Sequence, residues 1–122
     1  SITPVQLAEL PYVSRESGSG TREVMDDYFR KNGVQTEDLH IVMELGSREA
    51  IKGAVEAGLG IAIVSRATIQ KETKLGDLIA IPLEPRLYRP LSMVNAKEKF
   101  RSRLLQTFME FVTNALKQSK PA

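Results

Sequence analysis

Gly60-Ile61-Ala62-Ile63-Val64 is a run without a polar side chain, and it limits the fold more than any other stretch. A strand with one wet face alternates apolar and polar residues. A short strand without alternation is covered on both faces, as in a parallel sheet flanked by helices. The run is also far below the roughly 20 residues that a membrane-spanning helix needs.

Periodicity elsewhere supplies the rest of such a sheet. Residues 10–14 read as a first strand, entered through Pro11, and residues 40–43 as a second. Between them, Val24, Met25, Tyr28 and Phe29 fall on one face of a helix over residues 22–31, stopped by Asn32-Gly33. Ser47 suits the N-cap of a helix through Ala57, with Glu49 in its first turn, Ile51, Ala54 and Val55 as its apolar stripe, and Gly58 at its end. Ser65 suits the cap of a brief helix to about Glu72, and residues 76–83 and 88–95 read as two further strands. Leu104, Leu105, Phe108, Phe111, Val112, Ala115 and Leu116 give a last amphipathic helix over residues 100–117. Strand, helix, strand, helix, strand is an α/β unit with a mostly parallel sheet flanked by helices.

The chain has 122 residues, about one domain's worth. It lacks cysteine, which excludes disulfides, thiol catalysis and thiolate metal sites. Seventeen Lys and Arg stand against 15 acids, interleaved rather than massed, for a net charge of +2. A nucleic-acid surface calls for a basic stripe or block, and none is present. Residues 1–4 show neither the basic nor the apolar segment of a secretory signal.

Catalytic patterns are weak. His40 is the only histidine, so zinc ligation finds no partners. Ser17-Gly18-Ser19-Gly20 is not a nucleophile elbow, and Gly20-Thr21-Arg22 lacks the lysine of a P-loop. Gly58-x-Gly60 precedes a strand instead of opening a helix, contrary to a dinucleotide fingerprint. We therefore expect no enzyme and no cofactor or metal.

Binding is better supported. Each of the first three strands runs into hydroxyl or glycine residues that begin a helix: Ser17, Gly18, Ser19, Gly20 and Thr21, then Gly46 and Ser47, then Ser65. In an open α/β sheet the carboxyl ends of the strands form the ligand crevice. Helix N-termini there offer unpaired N–H groups and partial positive charge, which suits a carboxylate, sulfate or phosphate. Arg22 would add charge, although a helix N-terminus is a poor place for an arginine unless an anion or an acid is near. For any one such turn plain helix capping is the better explanation, and three such turns at one sheet edge shift the balance towards a site.

The run from Leu10 through Tyr12, Ser17 and Thr21 to Arg22 resembles LysR-type transcriptional regulators. So do Ser47-Arg48-Glu49-Ala50-Ile51-Lys52 with Val55 to Val64, Gly76-Asp77-Leu78, Arg89-Pro90-Leu91, and the closing helix with Phe108 and Phe111. Within that family the nearest likeness is to the cysteine-metabolism regulators. The resemblance implies a periplasmic-binding-protein type 2 fold, in which two α/β lobes hold a small effector between them. Residues 1–99 would be the second lobe and residues 100–122 a C-terminal helix returning towards the first. It implies effector contacts at Gly46 and Ser47, and at the turn of Ser17, Gly18, Ser19, Gly20 and Thr21. Family members often carry proline at the place of Ser65, which departs from the pattern.

The implied protein is a cytoplasmic homo-oligomer that binds a small anionic metabolite and meets DNA only through a helix-turn-helix domain absent from these residues. The chain then reads as a cut from a longer protein. The other readings are a lobe of a transporter's solute-binding protein, or an enzyme built on the same fold.

Overall fold

The structure, a computed structural model, describes residues 1–97 and 102–119. They belong to two compact units, Ser1–Arg89 and Pro90–Ala122.

In the first unit, β1 (Tyr12–Arg15) and β2 (Ile41–Leu45) pair in parallel, with Ser14 opposite Glu44 and Arg15 opposite Leu45. A parallel pair needs a long crossover, and α2 (Gly20–Lys31) supplies it. On the other side of β1 the apolar run 60–64 lies alongside in parallel. The Val13 amide donates to the Ile61 carbonyl at 2.8 Å, and the Ile61 amide to the Pro11 carbonyl at 2.9 Å. β1 is thus bonded on both edges.

Successive side chains of a strand point to opposite faces, and both faces here are covered. Tyr12 joins Leu7, Phe29, Val34 and Leu39 in one buried cluster, to which Ile61 and Ile63 add. Val13 joins Ile51 and Ala54 of α3 (Arg48–Glu56) in a second, to which Ala62 and Val64 add. This accounts for the absence of alternation in the run 60–64: each of its faces meets a core. Tyr12 and Phe29 meet edge to face, with ring centroids 5.8 Å apart, and Phe29 is fully buried.

Several expectations change. The run 60–64 makes a single bridge instead of a full strand, and its apolar residues are half-buried, because its outer edge pairs with no strand among the described residues. Residues 76–83 and 88–95 are not strands; only Leu83 forms a bridge, to Ile2. Strand-like composition expresses fit to a packed sheet surface. Ile79, Leu91 and Val94 are 88%, 89% and 90% exposed, so they have no such surface. Pro82 and Pro90 also remove ladder donors.

A short helix, α1 (Pro4–Ala8), escaped the sequence reading. Its signal was present in Thr3 and Gln6, which form a capping box ahead of Pro4. The region after Ser65 is a 3-10 turn (Arg66–Ile69) leading into α4 (Gln70–Leu75). α4 is tied to α3 by Lys52, whose Nζ lies 2.7 Å from Glu72 and 3.0 Å from Glu49. The second unit holds α5 (Arg103–Gln118), capped by Ser102. None of its residues is buried, and Phe100, expected to open it, lies outside the described residues. No helix among the described residues is long and apolar enough to cross a membrane.

Gly60 sits where the run passes β1 most closely. A Cβ there would lie 2.6 Å from the Pro11 carbonyl oxygen, a backbone atom with no room to yield, whereas a Cβ at Gly53 in α3 would meet open space. In urea denaturation, Gly60→Ala is expected to cost about 1–3 kcal/mol, and Gly53→Ala to add about 0.5–1 kcal/mol.

Burial, followed by the nearby Asp26 carboxylate, pushes the Tyr12 hydroxyl up to about 12. The folded state therefore favours neutral Tyr12. Stability is intact below pH 10, where an unfolded tyrosine begins to ionise, and is lost as pH rises towards 12. The loss should reach about 2–3 kcal/mol, and Tyr12→Phe should flatten it in denaturation midpoints measured across that range.

Candidate functional site

Because Arg15 pairs with Leu45 in a parallel ladder, the carboxyl ends of β1 and β2 lie side by side. The turns that follow them leave the sheet at one edge. The Glu16 amide, donating to the Leu45 carbonyl at 3.3 Å, draws the two together.

After β1, Ser17 and Gly18 form an exposed turn, in which Gly18 has a φ of +82° that a side chain would strain. The turn closes where the Ser19 amide donates to the Glu16 carbonyl at 3.3 Å. Ser19 is the N-cap of α2: its Oγ accepts from the Thr21 amide at 3.2 Å, and its carbonyl accepts from the Glu23 amide at 3.0 Å. Gly20, the exposed first residue of α2, has no side chain to obstruct an approach to the backbone. Thr21 is half-buried, and its Oγ1 accepts from Arg89 Nη1 at 2.9 Å.

After β2, Gly46 and Ser47 are exposed, and Ser47 Oγ caps α3 by accepting from the Ala50 amide at 3.1 Å. In each cap the serine oxygen serves as acceptor, so its O–H remains able to donate to an incoming anion. Capping and binding therefore coexist at these residues. The third turn departs from the pattern: Ser65 makes no side-chain cap, and its carbonyl takes the Thr68 amide and hydroxyl at 2.9 and 2.7 Å.

At this edge Arg22 has the nearby acid that an arginine at a helix N-terminus calls for, and its charge is not left open to a ligand. Its Nη1 donates to Glu44 Oε1 at 2.6 Å and to the Arg15 carbonyl at 3.1 Å, while Nε lies 3.6 Å from Asp26. The Glu44 hydrogen bond, opposed by partial burial, holds this guanidinium firmly charged. Arg22 thus fastens α2 to the ends of β1 and β2. Arg15 pairs with Glu16 through two contacts of 2.8 and 3.0 Å, and its hydrogen bonding keeps the Glu16 carboxyl below the usual range.

Arg89 reaches the site from 68 residues away, a contact that no local pattern announces. His40 stands just before β2, at the end of the strand away from these turns, and its carbonyl accepts from the Tyr12 amide. The described residues hold no cluster of three or more His, Cys, Asp or Glu suited to a metal. An open depression of about 570 Å³ beside α4, lined by Arg66, Gln70, Thr73 and Leu78 among others, includes none of the site residues.

The LysR substrate binding domain matches residues 1–117. The chain belongs to that family. Its relatives are transcriptional regulators: it is 41% identical over 112 residues to the HTH-type transcriptional regulator YeiE of Escherichia coli strain K12, covering 90% of this chain and 37% of that protein. It is 40% identical over 92 residues to the RuBisCO operon transcriptional regulator of Acidithiobacillus ferrooxidans, covering 71% of this chain and 29% of the relative.

A solved structure, the Synechocystis PCC6803 CcmR regulatory domain in complex with 2-PG, superposes over 100% of this chain and 57% of its own, with a TM-score of 0.75 and 28% identity. The LysR-type fold expected from the sequence is therefore present. The narrower likeness to cysteine-metabolism regulators finds no support among these relatives. The chain spans less than two fifths of the length of the regulators it matches.

The second and third turns of this LysR-family chain make unequal demands on their serines. Ser47→Ala removes a cap and should lower stability by about 1 kcal/mol. Ser65→Ala removes no side-chain hydrogen bond and should stay within about 0.5 kcal/mol of the parent in the same denaturation series.

Proposed function

We propose that the chain is the effector-sensing part of a LysR-type transcriptional regulator and that it binds a small anionic metabolite. Residues 1–99 would form its second lobe, and residues 100–122 the helix returning towards the first. The observation that carries this reading is the match of the whole of this chain to 57% of the CcmR regulatory domain in complex with 2-PG, joined to two serine-capped helix N-termini at one sheet edge.

The contacts would come from Ser17, Gly18, Ser19, Gly20 and Thr21 on one turn, and from Gly46 and Ser47 on the other. Hydroxyl and backbone donors at these positions accept negative charge without titratable chemistry, which is a binding role and not a catalytic one. The whole protein would work in the cytoplasm as a homo-oligomer and touch DNA through a helix-turn-helix domain outside these residues. Effector binding would favour one of two arrangements of that oligomer, with a coupling set by the difference in affinity between them.

Titration calorimetry on the full-length regulator with 2-PG, inorganic phosphate and sulfate tests this. At least one of these anions should bind, and the Thr21→Ala, Ser47→Ala double variant should bind it about tenfold or more weakly, the equivalent of about 1.4 kcal/mol. Unchanged affinity in the double variant would remove these site assignments.

A further inference from the structure

We propose that Arg89 is the specificity-determining residue of this site, the side chain that selects anionic over neutral effectors; the proposal rests on the effector-binding reading above. Four guanidinium groups belong to this edge of the sheet, and two are neutralised; a third, on Arg48 at the exposed start of α3, makes no side-chain hydrogen bond or ion pair among the described residues, so nothing holds it at the site. Arg15 is engaged by Glu16 at 2.8 Å, and Arg22 by Glu44 at 2.6 Å and Asp26 at 3.6 Å. Arg89 differs. Its contact at the site is the hydroxyl of Thr21, a neutral acceptor, and it forms no ion pair among the described residues.

A guanidinium carries five N–H donors in a planar fork. One of the Arg89 donors is on Thr21 Oγ1, and the side chain as a whole is exposed. The remaining donors are open to an oxyanion, and the Thr21 hydroxyl, already accepting from Arg89, can donate its own hydrogen to the same ligand. The two groups together match an acid with at least two oxygens, a carboxylate or a phosphate ester, which takes paired charge-assisted bonds better than single ones.

The backbone helps to hold the fork in place. Arg89 precedes Pro90, and the proline ring confines the preceding residue to extended conformations. A charge delivered on a constrained backbone and anchored by a 2.9 Å hydrogen bond loses less freedom on binding than a free surface arginine. An interaction of this kind discriminates by charge, so it acts on anions and leaves neutral isosteres indifferent.

The test uses the full-length regulator and two variants, Arg89→Gln and Arg89→Lys, titrated with 2-PG, inorganic phosphate and sulfate at low and high salt. Glutamine keeps an N–H donor for Thr21 but loses the charge; lysine keeps the charge. Arg89→Gln should weaken anion binding about tenfold or more and flatten its salt dependence, with Arg89→Lys within a few-fold of the parent. Thermal melts of both variants should match the parent, since the side chain is exposed. Anion affinity in Arg89→Gln within twofold of a parent that binds would overturn this proposal alone. A parent that binds none of the three anions would overturn the effector reading and this proposal with it.

Discussion

The central position of β1 is the constraint on which the rest depends. Its four residues bond to β2 on one edge and to the run containing Ile61 on the other. Its side chains alternate between two cores, Tyr12 into one and Val13 into the other. A one-residue slip would exchange those two residues between faces of unequal depth. The Tyr12 ring, packed edge to face on Phe29, could not be housed beside Ala54 and Ile51 without opening that smaller cluster. Register is therefore set by side-chain size as much as by the ladder, and the register puts Arg15 beside Leu45.

From that pairing the site follows with few further requirements. Strands that end together release their turns together, and each turn must begin a helix because α2 and α3 are needed to cover the two faces. A helix start needs a cap, so small hydroxyl residues gather at the edge for reasons of folding alone. What turns this gathering into a site is the disposition of charge. Arg22 bridges the β1 carbonyl end and Glu44, and so fixes the position of α2 against both strands. Its side chain is 17% exposed and that of Glu44 46%, so the pair is partly solvated, and its importance is in positioning more than in energy. That cation is thereby committed to architecture.

Much of this was legible in the residues. The parallel α/β character could be read from the run 60–64, the α2 face from Val24, Met25, Tyr28 and Phe29, and the Ser47 cap from its place before an amphipathic stripe. These features are local, and local chemistry determines them. The strands expected at residues 76–83 and 88–95 failed for the converse reason: β-like composition describes a side chain suited to a packed surface, and none is packed on Ile79, Leu91 or Val94. The residues show that Arg22, at a helix N-terminus, needs an anion or an acid near it, but not which, because the acid, Glu44, lies 22 positions on. Nothing in the spacing of those residues shows that parallel pairing will bring them to 2.6 Å.

Tertiary pairing of charges also explains why composition said so little about binding. A net charge of +2 spread over 122 residues describes no particular ligand. The relevant quantity is the charge left over after internal pairing, at one place. At the strand-end edge Arg15 is matched by Glu16 and Arg22 by Glu44, and each match costs those groups their availability to a ligand. Selectivity at such an edge then depends on the acids as much as on the bases. Glu44 occupies the Arg22 fork, so an approaching anion is left the capping serines, the Thr21 hydroxyl held by Arg89, and the exposed Arg48 at the start of α3. A sheet edge with all its arginines unpaired would attract anions of every kind. One in which all were paired would hold none by charge. Pairing some of them leaves recognition to the guanidinium held at the site and to hydrogen-bond geometry, and geometry can distinguish one small acid from another.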